Sequence, residues 1–279
     1  MSESVFENSQ LQALARSLET VSKLPHEVVY LSTDSLKLLH HFSEAQSSLE
    51  FLAGMIRQKL VEKTVIFPTA TLHLVGRSSP FDARKTPSKN MGVLNEYLRN
   101  TLAEYRTRHP FWSVAGFGGK ARELLQDHPG NAYGPRSIWD RLLDQETLSV
   151  SIGLPVRKAM PVVHHVEQCV GVPYRKIEVF EHEVIDYDGL KTTSLFTINL
   201  LCGQYKVRRD GNKKLSENFP GVSVLCKEPR IEICDYRELF SHLESCLIND
   251  IFSWVGNSEE VKIQCLDRRN EDSGLISGW

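Results

Sequence analysis

Two histidines and a glutamate in the segment "VVHHVEQ" have the residue types and the spacing for proton transfer. His164 and Glu167 are three residues apart, so in a helix they share a face and the carboxylate can orient the imidazole as a general base. His165 is adjacent to His164 and points about 100° away from it around such a helix. A histidine and a glutamate at this spacing are also common on helix surfaces, so the motif alone leaves both interpretations open.

A second stretch, "GFGGK", brings three glycines together just before Lys120. The glycines are typical of a phosphate-binding loop, but the Walker spacing, its Lys-Ser/Thr ending and the dinucleotide fingerprint are absent. One interpretation is a turn before a helix. The other is a helix start at Gly118–Lys120 whose backbone N–H groups are offered to an anion.

Motifs for covalent or metal-dependent catalysis are missing. The sequence has no GxSxG nucleophile elbow, and none of its six cysteines has CxxC spacing or a flanking catalytic signature. Several cysteines lie in apolar runs, which favours reduced thiols packed as small apolar groups. We therefore expect neither a metal site nor a covalent enzyme intermediate.

The composition limits the partners that we expect. The 279 residues are 41% hydrophobic and 24% charged, and the net charge is -2. A general nucleic-acid binder would carry a basic excess. The N-terminal residues are polar and acidic, and no apolar run approaches the length of a membrane helix. We expect a cytoplasmic protein with no nucleic-acid or membrane partner.

The N-terminal third predicts a βαβ unit. After a helix over 9–22, the strand "EVVYLSTDS" runs into a polar loop. A helix over 43–60 follows, with Ser43 and Gln46 as its capping box, and "KTVIFPT" is a second strand that Pro68 ends. Strand, helix and strand of this size favour two parallel strands.

The pattern then alternates between loops, helices and strands. We expect a long loop over 71–87 and a helix capped by Ser88. The remaining elements of this part are a strand in "FWSVAG", helices over 118–126 and 137–144, a strand in "TLSVSIGL", and a helix over 161–170 that Pro161 begins.

From Arg175 the hydrophobic period changes to two, which predicts an antiparallel region over 175–210 with "DYDG" as a hairpin turn. A strong final helix over 235–254 follows, with Asp235 as its cap. The fold class is therefore α/β, a mixed sheet flanked by helices with an antiparallel β insertion. We expect a single domain over 1–256 and a polar tail over 257–279. The apolar run "TSLFTINLLCG" is read either as a buried strand or as a homodimer surface.

Several stretches together, in this order, resemble the aminoglycoside 3-N-acetyltransferase family, also called the antibiotic N-acetyltransferase family. Five short pieces in register over roughly 150 residues carry the resemblance. They are "FPTAT", "FD" followed by "TPSKNMGVLNEYLR", "RHPFWSVAGFGGKA", "YGPRS" and "HHVEQCVGVPYR".

The resemblance implies transfer of an acyl group from acetyl-coenzyme A, or another acyl-coenzyme A, to an amine without a covalent enzyme intermediate. It makes His164 the general base, with Glu167 beside it. The resemblance also implies cofactor-binding and substrate-binding side chains, although Ser113 and Ser137 are equally read as buried hydroxyls or helix caps, and His165 as a packing residue. The cofactor-binding set is Ser32, Thr33, Lys37, Ser113 and Ser137, and the substrate-binding set is Asp82, His165 and Arg175.

The sequence departs from the family pattern in two places. Thr197 and Asn199 stand where family members carry carboxylates on a strand after the hairpin, so the partner of His164 is either Glu167 or absent. A polycationic aminoglycoside would also meet fewer charges. Before the histidines, Arg157 and Lys158 add positive charge, and with Arg175 they favour a phosphate-bearing acceptor unless they are solvated surface residues.

The first interpretation is therefore a coenzyme A-dependent N-acyltransferase acting on a primary amine of a small molecule, such as an amino sugar of glycan or natural-product biosynthesis. Three alternatives stay open. The chain is a catalytically inactive binding or scaffold protein of the same fold, a thioester hydrolase that uses the same histidine, or an aminoglycoside-modifying resistance enzyme.

Overall fold

The computed structural model describes residues 9–39, 45–156, 161–202 and 221–265. The α-helices in these ranges include α1 Ser9–Lys23, α2 Ser35–Leu39, α3 Ala45–Lys59, α4 Val93–Thr101, α5 Ala121–Leu125, α6 Ile138–Arg141, α7 Val162–Val170 and α8 Tyr236–Asn249, and the segment 258–265 is also helical. The ten strands are β1 Val28–Thr33, β2 Thr64–Pro68, β3 Phe81–Asp82, β4 Tyr105–Arg106, β5 Val114–Phe117, β6 Thr147–Ile152, β7 Arg175–Ile185, β8 Lys191–Leu201, β9 Ser223–Lys227 and β10 Arg230–Asp235.

Seven strands form one mixed sheet in the order β4-β5-β2-β1-β6-β10-β9. The three central strands β2, β1 and β6 are parallel, and the outer strands pair antiparallel. This arrangement confirms the predicted mixed α/β class and the parallel pairing of β1 with β2.

Helices cover both faces of this sheet. On one face Val29 and Leu31 of β1 pack against α1, α3 and α4, and on the other Val28 and Tyr30 pack against α6, α7 and α8. A strand covered on both faces is buried along its whole length. The sequence of β6 alternates apolar and hydroxyl residues, yet all six residues are buried for this reason.

The predicted antiparallel insertion is the hairpin of β7 and β8, which are paired from Arg175 with Leu201 to Ile185 with Lys191. The two-residue strand β3 joins it in parallel with β7. Phe196 and Ile198 of the apolar run are buried, whereas Leu195 between them and the turn is 62% exposed. The run is therefore a strand with one face in the core.

The helix that we expected to be capped by Ser88 begins later, at Val93. The backbone N–H and the hydroxyl of Ser88 both donate to Glu96 Oε2, at 2.9 and 2.7 Å, so Ser88 binds a side chain of the helix from outside it. Gly92, with a φ of 88°, immediately precedes the helix.

Three other boundaries also differ from the prediction. The polar loop after β1 contains α2, the expected long loop contains β3 and a short 3₁₀ turn at Leu72–Leu74, and α8 ends at Asn249 rather than 254. The cap of α8 is confirmed, because Asp235 Oδ1 accepts from the N–H of Glu238 at 2.8 Å. The hairpin of β9 and β10 was not predicted.

Ser43, the cap residue of the predicted capping box, lies outside the described residues, as do Arg157 and Lys158. Beyond 256, Val261 and Cys265 are buried in the core. In the described ranges, no helix combines the length and the apolar character that crossing a membrane requires.

Three buried histidines are held neutral by their surroundings. Burial lowers the pKa of His109 to about 3 and the pKa values of His128 and His165 to about 4. Each ring is hydrogen-bonded to backbone: His109 Nδ1 accepts from the N–H of Trp112 at 3.0 Å, and His165 Nδ1 accepts from that of Gly134 at 3.0 Å.

These histidines should make the protein sensitive to acid. In the unfolded chain each regains a pKa near 6.5, so below about pH 6.5 the unfolded chain binds protons that the folded one does not. We expect the free energy of unfolding to fall by about 1.4 kcal/mol per pH unit for each histidine, from about pH 6.5 down to its folded pKa. Urea unfolding between pH 7 and pH 5 measures the slope.

In His128→Asn, the free energy of unfolding should fall less steeply with falling pH, by about 1.4 kcal/mol per pH unit, because one buried histidine is gone. Leu142→Ala is the matched control, since Leu142 is fully buried in the same part of the core and does not titrate. Leu142→Ala should lower stability and keep the wild-type slope. Equal slopes for wild type and His128→Asn would contradict the assignment.

Candidate active site

A cavity of about 750 Å³ lies at the carboxyl ends of β1 and β6. The chain places β2 on one side of β1 and β6 on the other, so the strand order reverses here, and ligands of open α/β sheets bind at such a point. The size is in the usual range for small-molecule sites. Its walls include Thr33 at the end of β1, the following Asp34, Pro68 of β2, the segment before α4, Leu154, Trp112 and His164.

Helix α7 carries His164 to the wall of this cavity. Pro161 stands at the N-cap position, and Gly171, with a φ of 75°, ends the helix in the left-handed conformation that glycine adopts without strain. The N–H groups of Gly171 and Val172 both donate to the carbonyl of Glu167 at 3.1 Å. This turn brings the chain back beside α7 as β7 begins.

His164 and Glu167 form the pair that the sequence predicts. His164 Nδ1 lies 2.8 Å from Glu167 Oε2, and the side chains are 19% and 3% exposed. Glu167 Oε1 accepts from Trp254 Nε1 at 3.1 Å, and Arg175 Nε contacts Oε2. Both carboxylate oxygens are therefore engaged.

Glu167 is ionised although it is buried. Burial alone would raise the pKa of this carboxyl, but the hydrogen bond and charge of His164 and those of Arg175 outweigh burial and lower it. The carboxylate in turn holds the imidazole through Nδ1, which directs the second ring nitrogen, Nε2, to the opposite edge of the ring. Tyr133 packs edge-on against this ring at 5.6 Å between centroids, and Trp112 lies at 6.4 Å.

Two of the expected cofactor-binding residues line the cavity, and a third, Lys37, pairs with the lining residue Asp34. Ser32 and Thr33 line it directly, and the Thr33 hydroxyl donates to Asn95 Oδ1 at 3.0 Å. Lys37 lies on α2, where its ammonium donates to the carbonyl of Gly153 at 3.0 Å and pairs with Asp34 at 3.6 Å.

Ser113 and Ser137 are not among the cavity-lining residues. The Ser113 hydroxyl is buried, donates to the carbonyl of Thr69 at 2.7 Å and accepts from Arg106 Nε at 3.1 Å. Ser137 is the N-cap of α6, and its hydroxyl accepts from the N–H of Asp140 at 3.4 Å. These positions match the buried-hydroxyl and helix-cap alternatives, and direct cofactor contact stays a prediction.

The three expected substrate-binding residues do not lie together. Asp82 Oδ1 accepts from the backbone N–H groups of Arg84 and Lys85 at 2.9 and 3.0 Å, which fixes a turn away from the cavity walls. His165 is fully buried on the far side of α7. Arg175 is 5% exposed and lies against Glu167 and His164.

The stretch "GFGGK" forms the turn between β5 and α5. A Cβ added at Gly118 would lie 2.3 Å from the carbonyl oxygen of Lys63, so this position requires glycine. The N–H of Gly118 donates to Glu104 Oε2 at 3.0 Å and that of Lys120 to Thr64 Oγ1 at 2.9 Å. The protein's own side chains thus use these donors, which favours the turn interpretation.

Sequence reasoning missed Trp254 and Tyr133. Trp254 is 87 residues from Glu167 and only the tertiary fold joins them. An indole donor aimed at a carboxylate has no local sequence signal. Among the described residues, no group of three or more histidine, cysteine, aspartate or glutamate side chains is placed to hold a metal ion.

Glu167→Gln should destabilise the protein because it leaves the Arg175 charge buried without its partner. Breaking a buried pair in this way costs about 3 kcal/mol or more, measurable by urea unfolding. Glu123→Gln on the exposed face of α5 is the matched control and should be neutral. The double variant Glu167→Gln/Arg175→Gln should recover part of the loss. A Glu167→Gln protein as stable as the control would show that the pair contributes nothing.

Comparisons with known proteins identify the family and the fold. A family model described as aminoglycoside 3-N-acetyltransferase matches residues 61–247. Aminoglycoside N(3)-acetyltransferase IX of Micromonospora chalcea is 30% identical over 97 residues, and the aligned part spans 34% of this chain and 34% of that enzyme.

Solved structures show the same fold. The sisomicin-bound structure of AAC-VIa superposes with a TM-score of 0.69 at 16% identity, over 86% of this chain and 97% of that one. The binary complex of AAC-IIIb with CoASH has a TM-score of 0.66 at 17% identity, over 84% and 96%. Because the family model covers well over half of the sequence, the chain belongs to the aminoglycoside 3-N-acetyltransferase family.

Proposed function

We propose that this protein is a coenzyme A-dependent N-acyltransferase that acylates, with acetyl as the first choice of acyl group, a primary amine of a small molecule. One observation carries the proposal. His164, oriented by an ionised and buried Glu167, lies in the wall of a ligand-sized cavity at the switch point of the sheet. The family to which the chain belongs supports acetyl transfer as the reaction.

The proposed chemistry needs one base and no covalent intermediate. His164 Nε2 takes a proton from the acceptor amine while the amine lone pair attacks the thioester carbon. A C–N bond forms, the C–S bond breaks with its electron pair going to sulfur, and the proton passes from His164 to the departing thiolate. Glu167 stabilises the imidazolium that exists between these steps.

The cavity walls suit the pantetheine arm of an acyl-coenzyme A. The arm is long, uncharged and carries two amides, so it needs hydroxyl, amide and apolar partners. Ser32, Thr33 and Asn95 offer the polar groups, and Leu36 and Val93 offer apolar surface. Gly92 permits the close approach of this wall to α2, since a Cβ there would lie 3.2 Å from the Ser35 hydroxyl.

The charges of the described lining support an acceptor with few positive charges. The lining carboxylates are Asp34 and Glu96, and each already has a cation partner, Lys37 at 3.6 Å and Arg99 at 2.6 Å. A polycationic aminoglycoside would have to compete with these partners. An amino sugar with a single ammonium group is the acceptor that we favour.

His164→Ala should abolish amine-dependent release of coenzyme A thiol from acetyl-coenzyme A, by a factor of about 100 or more for loss of a general base. Release is measured with a panel of simple amines, amino sugars, nucleotide-linked amino sugars and aminoglycosides. His242→Ala is the matched control, because His242 lies on α8 and is not a lining residue.

The panel separates the alternatives. Release without any amine would identify a thioester hydrolase, and turnover with aminoglycosides alone would identify a resistance-type enzyme. Unaltered turnover in His164→Ala would remove the general base from the proposal. No release with any acceptor, although coenzyme A binds, would favour a scaffold protein.

Val93→Trp should weaken coenzyme A binding, because the indole would fill space in the cavity. Val93 is 47% exposed, so the larger side chain has no core to disrupt. Val61→Trp is the matched control, at a valine that is 61% exposed and lies away from the cavity. Calorimetry should show an affinity at least about tenfold weaker for Val93→Trp alone. Equal affinities would place the cofactor elsewhere.

A further inference from the structure

The geometry points to Arg175 as a positioning residue of the base: it fixes the Glu167 carboxylate and offsets its charge at His164, so that the imidazole stays neutral and able to accept a proton. This inference rests on the proposed function. It gives Arg175 a role different from binding a substrate phosphate, for which its burial leaves little access.

Two groups of opposite charge meet one nitrogen. His164 Nδ1 lies 2.8 Å from Glu167 Oε2 and 3.0 Å from Arg175 Nη2. A neutral imidazole nitrogen either donates a hydrogen bond or accepts one. If Nδ1 carries the proton it donates to Glu167, and Nε2 is the base. If Nδ1 accepts from Arg175, the proton lies on Nε2 and that nitrogen cannot take another.

The contact with Glu167 is what keeps the first arrangement available. Arg175 Nε contacts the same Oε2 atom, and Trp254 Nε1 holds Oε1 at 3.1 Å, so the carboxylate cannot turn away from the ring. Arg175 Nη1 donates to the carbonyl of Asn199 on β8 at 3.3 Å. The guanidinium is therefore tied to β8 at one end and to Glu167 at the other.

Charge balance gives Arg175 its second effect. A lone buried carboxylate beside His164 would stabilise the imidazolium strongly and hold the ring protonated. The adjacent guanidinium repels the imidazolium and reduces this stabilisation. Of the described groups that face the ring, Glu167 and Arg175 are charged, and Trp112 and Tyr133 contribute neutral aromatic rings.

The planar fork of arginine suits this task better than lysine. Its three nitrogens reach three different partners, Glu167, His164 and Asn199. An ammonium group would supply the charge but could not hold all three. Charge and geometry can therefore be tested separately by two substitutions.

The test is the NMR titration of the His164 ring in histidine-labelled full-length protein, with the signal assigned by its loss in His164→Gln. Arg175→Met should move the titration midpoint of this imidazole up by about one pH unit, because a repelling charge is gone. Glu167→Gln should move it down. Arg175→Lys should stay near wild type, because it keeps the charge.

Activity gives an independent readout. The acid limb of the pH profile of kcat/KM should move up with the NMR midpoint in Arg175→Met, and Arg175→Lys should lose kcat without moving that limb. A midpoint that is unchanged or lower in a folded Arg175→Met protein would overturn the inference, as would a large upward shift in Arg175→Lys. The NMR titration needs no turnover. If the midpoint rises in Arg175→Met and falls in Glu167→Gln, but the protein has no transferase activity, the role of Arg175 is retained and the proposed function is rejected.

Discussion

The rest of the site depends on keeping the Glu167 carboxylate ionised in the protein interior. A charged group removed from water is costly unless charged and hydrogen-bonding partners replace the water. Here His164 comes from the same helix, Arg175 from the start of β7 and Trp254 from the segment after α8. The carboxylate thus joins three separate parts of the chain, and the position of the imidazole follows from their packing.

The architecture explains why this group can stand next to a cavity. Strand β1 is covered by helices on both faces, so the space for a ligand is not beside the sheet but beyond the carboxyl ends of its strands. Strands β2 and β6 pair with the two opposite edges of β1, so the strand order reverses there. Helix α7 carries His164 to the wall of the crevice at this point. On α7, His164 reaches the cavity wall, and Glu167, one turn further along the same face, is buried.

Most of the fold follows from patterns within the sequence. The heptad-like spacing of Leu11, Leu14, Leu18 and Val21 predicted α1, and all four residues are buried as expected. Alternation over β7 and β8 predicted the hairpin, and Asp235 and Pro161 marked the starts of two helices. These features are local, so the residues that define them are adjacent or one helical turn apart.

The failures arise where tertiary contacts override local preference. Ser88 has the residue type of a helix cap, but Glu96 binds it from within the helix, and Gly92 with positive φ begins the turn. The hairpin of β9 and β10 was missed because its strands are only five and six residues long, and pairing of β10 with β6 places it in the sheet. The sequence predicted the pair of His164 and Glu167 because the two residues are three positions apart. It did not predict the contact of Trp254 with Glu167, because these residues are far apart in the sequence.

The source of the carboxylate bears on what the site can select. The strand position at which we expected an acidic side chain holds Asn199, and its backbone carbonyl engages Arg175 instead. Glu167 is buried and its charge is already matched by Arg175. In the proposed function, Glu167 thus supports His164 without making the cavity more acidic. Under the proposed function, support of the base is therefore separate from any attraction for cations, and we expect the acceptor to be recognised more by shape and hydrogen bonds than by charge.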